Sequence, residues 1–342
     1  MNAVLEDSPA LAEASEVLGR LRDSVKAQVL GRDDVIDLVI IALMADGHVL
    51  LEDYPGSGKT TLAKALGETI VDEPATEGGN EGLSPIVPFR RIQFTPDLLP
   101  SDVTGGSVFD TGTNSFHFRH GPIFAHVVLA DEINRTSPKV QSAMLEAMGE
   151  KQVTVDNTTY PLDPLFFVIA TQNPLDLVGT YPLPTPQLDR FLFKLTMTHI
   201  ERDAELAVLD TWRERRDGDA GRHRVSRDAI LAARRTIDAQ VEIASAVKTA
   251  LVDISRNLRE DERVLQGNST RSMVLMLPAL QVHAVLHDRD YVNADDIHAL
   301  LGPVLQHRVE MAPGIADFDR VLEDCSREPM EALARSTLRA VN

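Results

Sequence analysis

The sequence predicts an α/β domain built on a parallel sheet, followed by a smaller all-helical domain. Two observations carry this. The apolar runs VVLA (127–130) and FFVIA (166–170) lack polar alternation, as do strands buried on both faces when helices cover a sheet. From Ile200 onward, charged residues are spaced between Ala, Leu, Ile and Val in a helical pattern. At 342 residues the chain exceeds what one hydrophobic core usually organises, which also favours two domains.

The elements follow in order. Leu18, Leu21, Val25 and Val29 recur at helical spacing, and after Gly31 a second helical pattern runs from Asp33 to Met44. Strand-like runs then appear at His48 to Glu52, Arg90 to Phe94, His126 to Ala130, Leu165 to Thr171 and Phe191 to Leu195. The boundary falls near Thr198, giving domains at 1–198 and 199–342. Residues 72–85 and 215–224 combine Gly and charge with little apolar content and read as surface loops. No internal repeat is evident.

Composition excludes several function classes. Asp and Glu number 52 against 34 Lys and Arg, a net charge of −18 that disfavours nonspecific attraction to nucleic acid or anionic lipid. The single cysteine, Cys325, forbids an internal disulfide framework and fits a reducing compartment. Acidic residues interrupt the first apolar positions, so no secretory signal is expected. The longest apolar run, Leu38 to Ala45, falls far short of the roughly 20 residues of a membrane span. The expectation is a soluble cytoplasmic protein.

The chemistry begins in HVLLEDYPGSGKTTLAKAL (48–66): an apolar strand, a Gly-rich turn, then Lys59 and Thr60 opening a helix. This looks like a P-loop. Gly56 and Gly58 let backbone N–H groups close around phosphate oxygens beside a helix N-terminus. Lys59 would reach the β and γ phosphates, and the Thr60 hydroxyl would ligate Mg²⁺. Asp53 stands where the strict motif has its first glycine. In FAHVVLADEINR, Asp131 and Glu132 end a buried strand; the first would hold Mg²⁺ through water and the second polarise an attacking water. The bland alternative is an acidic cap to the next helix. Asn173, after another buried strand, could orient water near the γ phosphate or merely cap a turn before Pro174. Arg190 could stabilise charge on a neighbouring subunit's nucleotide or make a simple salt bridge to Asp189 or another nearby acid.

Four long blocks resemble the MoxR family of AAA+ ATPases: RRIQFTPDLLPSDVTGG, GPIFAHVVLADEINR, QSAMLEAMGEKQVTV and IATQNPLDLVGTYPLPTPQLDRF. The resemblance runs from end to end and implies a P-loop NTPase (AAA+) αβα sandwich with a helical lid. It implies a Walker A loop from Gly56 through Ser57, Gly58, Lys59 and Thr60 to Thr61, and a Walker B pair at Asp131 and Glu132. It further implies sensor 1 at Asn173 and an arginine finger at Arg190. GNSTRSMVLML resembles the sensor 2 segment, placing Arg271 in the lid against the γ phosphate of its own subunit; Thr270 stands where the family often has Pro. From the residues alone, Arg271 could equally be a surface side chain in the first turn of a helix begun by Ser269.

The family resemblance also implies ATP and Mg²⁺, a ring, expected to be a hexamer, and a chaperone-like role in remodelling, maturation or cofactor insertion, with a protein client or von Willebrand factor A-type partner. A hairpin insertion is expected within 98–122, where Phe109, Phe116 and Phe118 could face a client or pack the hairpin, and another at Gln152 to Pro164. Residues 72–85 enlarge the segment before the second strand. Competing readings are an ATP-gated regulator with incidental turnover, a DNA-associated motor and a P-loop kinase. The kinase leaves Asn173, Arg190 and Arg271 unexplained, and the motor conflicts with the acidic balance. His283 and His287 have metal-compatible spacing but no third ligand nearby in sequence, and His117 to His120 belongs to the expected hairpin. Asn157 and Asn268 sit in glycosylation acceptor patterns that are discounted without a secretory signal.

Overall fold

The computed structural model describes residues 8–53, 56–72, 86–173, 179–213, 223–315 and 317–340. Of the two segments expected as loops, 73–85 and 215–222 lie outside the described residues, as does Pro174.

Two helices open the chain. In α1 (Pro9–Gln28), the Ser8 side chain accepts from the Leu11 amide and proline occupies the first turn. In α2 (Asp33–Met44), Asp33 and Asp34 complement the positive end of the helix. Strand β1 (Val49–Asp53) leads into α3 (Lys59–Thr69). Strands β2 (Val87–Gln93) and β3 (Ala125–Asp131) precede helix α4 (Pro138–Glu150), and β4 (Phe167–Gln172) and β5 (Phe193–Met197) complete the sheet. All pairings in this sheet are parallel, in the order β5-β1-β4-β3-β2.

The period of two along each strand divides the core. Val49, Leu51, Val127, Leu129, Phe167 and Ile169 enter one cluster with α1, α2 and α3. Their neighbours Leu50, Val128, Ala130, Val168 and Ala170 enter the other, with Val140, Met144 and Met148 of α4. Both faces are therefore dry, which explains the uninterrupted apolar runs in the sequence.

Between β2 and β3 the chain forms a short helix, Pro100–Thr104, and an antiparallel hairpin, Gly105–Asp110 with Ser115–His120. A second hairpin pairs Gln152–Val155 with Thr158–Pro161. The two hairpins are joined where Phe118 stacks on Tyr160 with ring centroids 3.8 Å apart and Ser107 Oγ donates to Asp156 at 2.6 Å. Phe109 and Phe116 contact each other but stay 47% and 71% exposed, so of the three aromatics only Phe118 packs the hairpin base.

Beyond the sheet come α5 (Arg227–Gln240), α6 (Ser245–Glu260), α7 (Thr270–Leu286), α8 (Ala294–Leu305) and α9 (Phe318–Ala340). Helix α7 continues through Pro278, with Met276, Ala279 and Leu280 buried. This part is not purely helical: Val225–Ser226 pairs with Ile70–Val71, and Val264–Gln266 with Glu310–Met311. Helix α1 packs against both α3 and α5, so the larger core cluster runs without a break from the sheet into these helices. No helix among the described residues is long and apolar enough to cross a membrane.

Candidate nucleotide site

The turn between β1 and α3 places Gly56 and Gly58 at φ 93°, in the left-handed region that a side chain disfavours. Gly58 is the cap of α3, so the helix amides from Lys59 onward open toward the cavity at the carboxyl ends of the strands. That cavity, about 420 Å³, is lined by Gly56 to Thr61, Arg91, Gln93, Asp131, Glu132, Thr171 and Asn173. Residues from four separated stretches thus meet at one sheet edge, including every expected site residue except Arg190 and Arg271.

Register makes the acid pair. Gln93 pairs with Asp131 across β2 and β3, and Ala130 with Ala170 across β3 and β4, which puts Thr171 beside the acids. The buried Thr171 hydroxyl donates to Asp131 Oδ1 at 2.7 Å and accepts from the Glu132 amide at 2.8 Å. Arg91 donates to Asp131 Oδ2 through Nη2 at 2.6 Å and Nε at 3.0 Å. The Gln93 amide donates to Glu132 Oε2 at 2.8 Å, and Arg135 stands 3.4 Å from the same oxygen. Glu132 itself has φ 58°, a conformation that costs a non-glycine residue roughly 1–3 kcal/mol and is concentrated at functional sites. The adjacent carboxylates therefore have separate partners, Arg91 and Thr171 for Asp131 and Gln93 and Arg135 for Glu132.

Arg91, Gln93 and Thr171 escaped the sequence reading. Arg91 and Gln93 alternate with the buried Ile92 on an edge strand, and that alternation was their only signal. Arg32 is another: 5% exposed, it reaches the Ser57 carbonyl at 3.5 Å. It lines a second, more apolar cavity of about 470 Å³ that shares Gly56, Ser57, Gly58 and Thr61 with the first and adds Val29, Leu30, Ile200 and Leu209.

Arg190 and Arg271 do not line the first of these cavities. Arg190 is half-buried against the end of α4, where a Cβ on Gly149 would come 1.7 Å from its Nη1; glycine is what lets it lie there. Asp189 does not pair with Arg190. It takes Arg308 at 2.7 Å and lies 3.9 Å from Arg271. Arg271 occupies the first turn of α7, begun by Ser269, and is 56% exposed.

The histidine pair acquires a third group after all, because Asp296 folds against His283 and His287. Its carboxylate is already saturated: Oδ1 accepts from His283 at 2.5 Å and Arg289 at 2.6 Å, Oδ2 from Arg289 at 2.7 Å and the Asn293 amide at 2.8 Å. A cation there would have to displace a guanidinium, so the cluster is the capping lock of α8.

The model of the ATPase family associated with various cellular activities (AAA) matches residues 48–193, and an AAA lid domain matches residues 256–325. Chaperone MoxR1 of Mycobacterium tuberculosis is 32% identical over 327 residues, covering 93% of this chain and 81% of that protein. The chain belongs to the MoxR family of AAA+ ATPases. Within reach of this MoxR-family chain is also YeaC, an uncharacterized protein of Bacillus subtilis, 42% identical over 93% of this chain and 94% of its own. A crystal structure of a candidate ATPase from Cytophaga hutchinsonii superposes with a TM-score of 0.80 at 33% identity, covering 94% of this chain and 97% of that one.

Proposed function

We propose that the chain is a Mg²⁺-dependent ATPase that works in a homo-oligomeric ring, a hexamer, and couples hydrolysis to chaperone-like remodelling of a partner protein. In this reading residues 1–198 form the nucleotide-binding domain and 199–342 the lid, in the cytoplasm, without nucleic acid. The observation that carries it is the convergence of Lys59, Asp131, Glu132 and Asn173 on one cavity beside the helix-capping turn. The apolar cavity behind the same turn supports a base site, with Val29, Leu30 and Ile200 against adenine.

The roles follow from chemistry. Backbone amides of Gly56 to Thr61 hold the phosphates, and Lys59 neutralises the β and γ oxygens. Glu132 accepts the proton of a water that Asn173 orients, and that water attacks the γ phosphorus as the bond to the ADP oxygen breaks, giving ADP and phosphate. Thr60 and Asp131 would hold Mg²⁺, Asp131 through water at Oδ1, since Arg91 takes Oδ2 and the Thr171 hydroxyl leaves Oδ1 a further lone pair; such oxygen donors suit a hard cation that keeps most of its waters. When bound, the ion would neutralise phosphate charge. Arg190 stabilises the developing charge on the adjoining subunit's nucleotide, and Arg271 serves its own. MoxR1 is named a chaperone, and the partner in this reading is a protein client or a von Willebrand factor A-type protein, remodelled for maturation or cofactor insertion.

Lys59→Ala is expected to abolish nucleotide binding, whereas Arg190→Ala should bind ATP normally and lose turnover. Nucleotide binding by Lys59→Ala at wild-type affinity would remove the basis of the reading. One observation favours the second reading, an ATP-gated regulator with slow turnover: Gln93 and Arg135 both hold the Glu132 carboxylate away from full availability. A motor is stimulated by its client, while a gated regulator binds its partner differently in ATP and ADP at constant rate.

A further inference from the structure

We propose that Arg308 is a positioning residue that fixes the backbone on both sides of Arg190 and so aims that guanidinium at the adjoining subunit; the inference rests on the trans-acting role given to Arg190 above. Arginine has five N–H donors, and Arg308, 4% exposed, has an acceptor for each. Nε donates to Asp189 Oδ1 at 2.7 Å. Nη2 donates to the carbonyls of Asp189 at 3.3 Å and Phe191 at 2.6 Å, which flank Arg190. Nη1 donates to the carbonyls of Leu192 at 3.0 Å and Val304 at 2.5 Å. Four of the five bonds grip residues 189–192, and His307 Nε2 adds a fifth hold on that segment at the Phe191 carbonyl, 3.0 Å away.

The grip originates outside the sheet. Arg308 follows α8, and the one bond its guanidinium makes outside the 189–192 segment, to the Val304 carbonyl, ties the side chain to that helix. Asp189 is also the carboxylate nearest Arg271. Two guanidiniums from the C-terminal helices therefore meet at the residue preceding Arg190, while Arg190 itself is left to rest against Gly149. A rotation of the lid on nucleotide binding would move the 189–192 segment with it, linking one subunit's nucleotide state to its neighbour's hydrolysis. A lysine in place of Arg308 keeps the charge but has three donors from one nitrogen and cannot span these carbonyls.

Arg308→Lys is expected to lower kcat by about 10- to 100-fold, the size of a misplaced catalytic group, with KM for ATP changed by less than about threefold. Mixed with Lys59→Ala subunits, which bind no nucleotide but carry an intact 189–192 segment, Arg308→Lys should regain activity, because its competent sites then receive a well-placed Arg190. Arg190→Ala mixed with Lys59→Ala is the parallel control. If Arg190→Ala is rescued and Arg308→Lys is not, Arg308 serves only its own site and the proposal falls. If neither is rescued, the trans-acting reading beneath it falls. Should the lysine variant fail to fold, Asp189→Ala, which removes the acceptor of Nε and leaves the four carbonyl acceptors in place, is expected to give the same kcat-selective loss and the same rescue at smaller size. An unchanged kcat in that variant overturns the proposal.

Discussion

Thr171 concentrates the logic of the site in one hydroxyl. It donates to Asp131 and accepts from the amide of Glu132, whose backbone is held in the left-handed region. Thr171→Val keeps the shape and removes both bonds, leaving a buried amide and a carboxylate oxygen short of a partner. A loss of about 1–3 kcal/mol in chemical denaturation is expected, with kcat reduced at least about tenfold and KM for ATP nearly constant. Equal losses in every kinetic parameter would mean that the hydroxyl is merely structural. At this scale the sequence was legible where chemistry sits in a contiguous signal, as in GSGKT or the acids ending VVLA. It was not legible for Thr171, Arg91 or Arg308, whose partners lie 40, 40 and 119 positions away and are set by strand register and lid docking.

The elements were more readable, because the central strands β3 and β4 are covered on two faces and announce themselves as apolar runs, while the edge strands β2 and β5 show alternation instead. The five expected strands all appear, and Asp33 to Met44 is a helix as read. Less visible were the short strands of two or three residues, Val225–Ser226 with its partner Ile70–Val71 and Val264–Gln266 with Glu310–Met311, too brief for any periodicity. The hairpins give a prediction of their own. Phe118→Ala should cost about 1–3 kcal/mol by losing its stack on Tyr160, whereas Phe116→Ala, 71% exposed, should stay within about 0.5 kcal/mol; thermal unfolding compares them.

The seams between elements carry buried neutral histidines. His48 accepts from the Val168 amide at Nδ1 and faces the Met148 carbonyl with Nε2, and burial holds its pKa down at about 4. Burial, then the charge of Arg308, pulls His307 down to about 3. Unfolded histidines titrate near 6.5, so below that pH the unfolded chain takes up protons that the folded one refuses. Both contributions are complete above pH 6.5 and are lost as the pH falls toward the folded values. His307→Gln keeps a donor for the Phe191 carbonyl and removes one titration. Between pH 6 and 4, wild type should lose about 1.4 kcal/mol per pH unit more than this variant, measured by urea unfolding. Parallel pH profiles would contradict the assignment.

For the whole molecule, the proposed ring and the net charge of −18 give a joint prediction. With ATP, Glu132→Gln should form a multi-subunit ring by mass measurement and show no DNA binding even at low salt, where electrostatic attraction is strongest. A monomer under those conditions would remove any role for Arg190 in trans. The central claim, however, is that these separated residues act together on the terminal phosphoryl group. Its most direct test is a single-turnover experiment on Glu132→Gln with ATP binding followed in parallel. The account predicts binding like wild type and hydrolysis slower by about 10²- to 10⁴-fold, the contribution of a general base. Hydrolysis at the wild-type rate in that variant would contradict it.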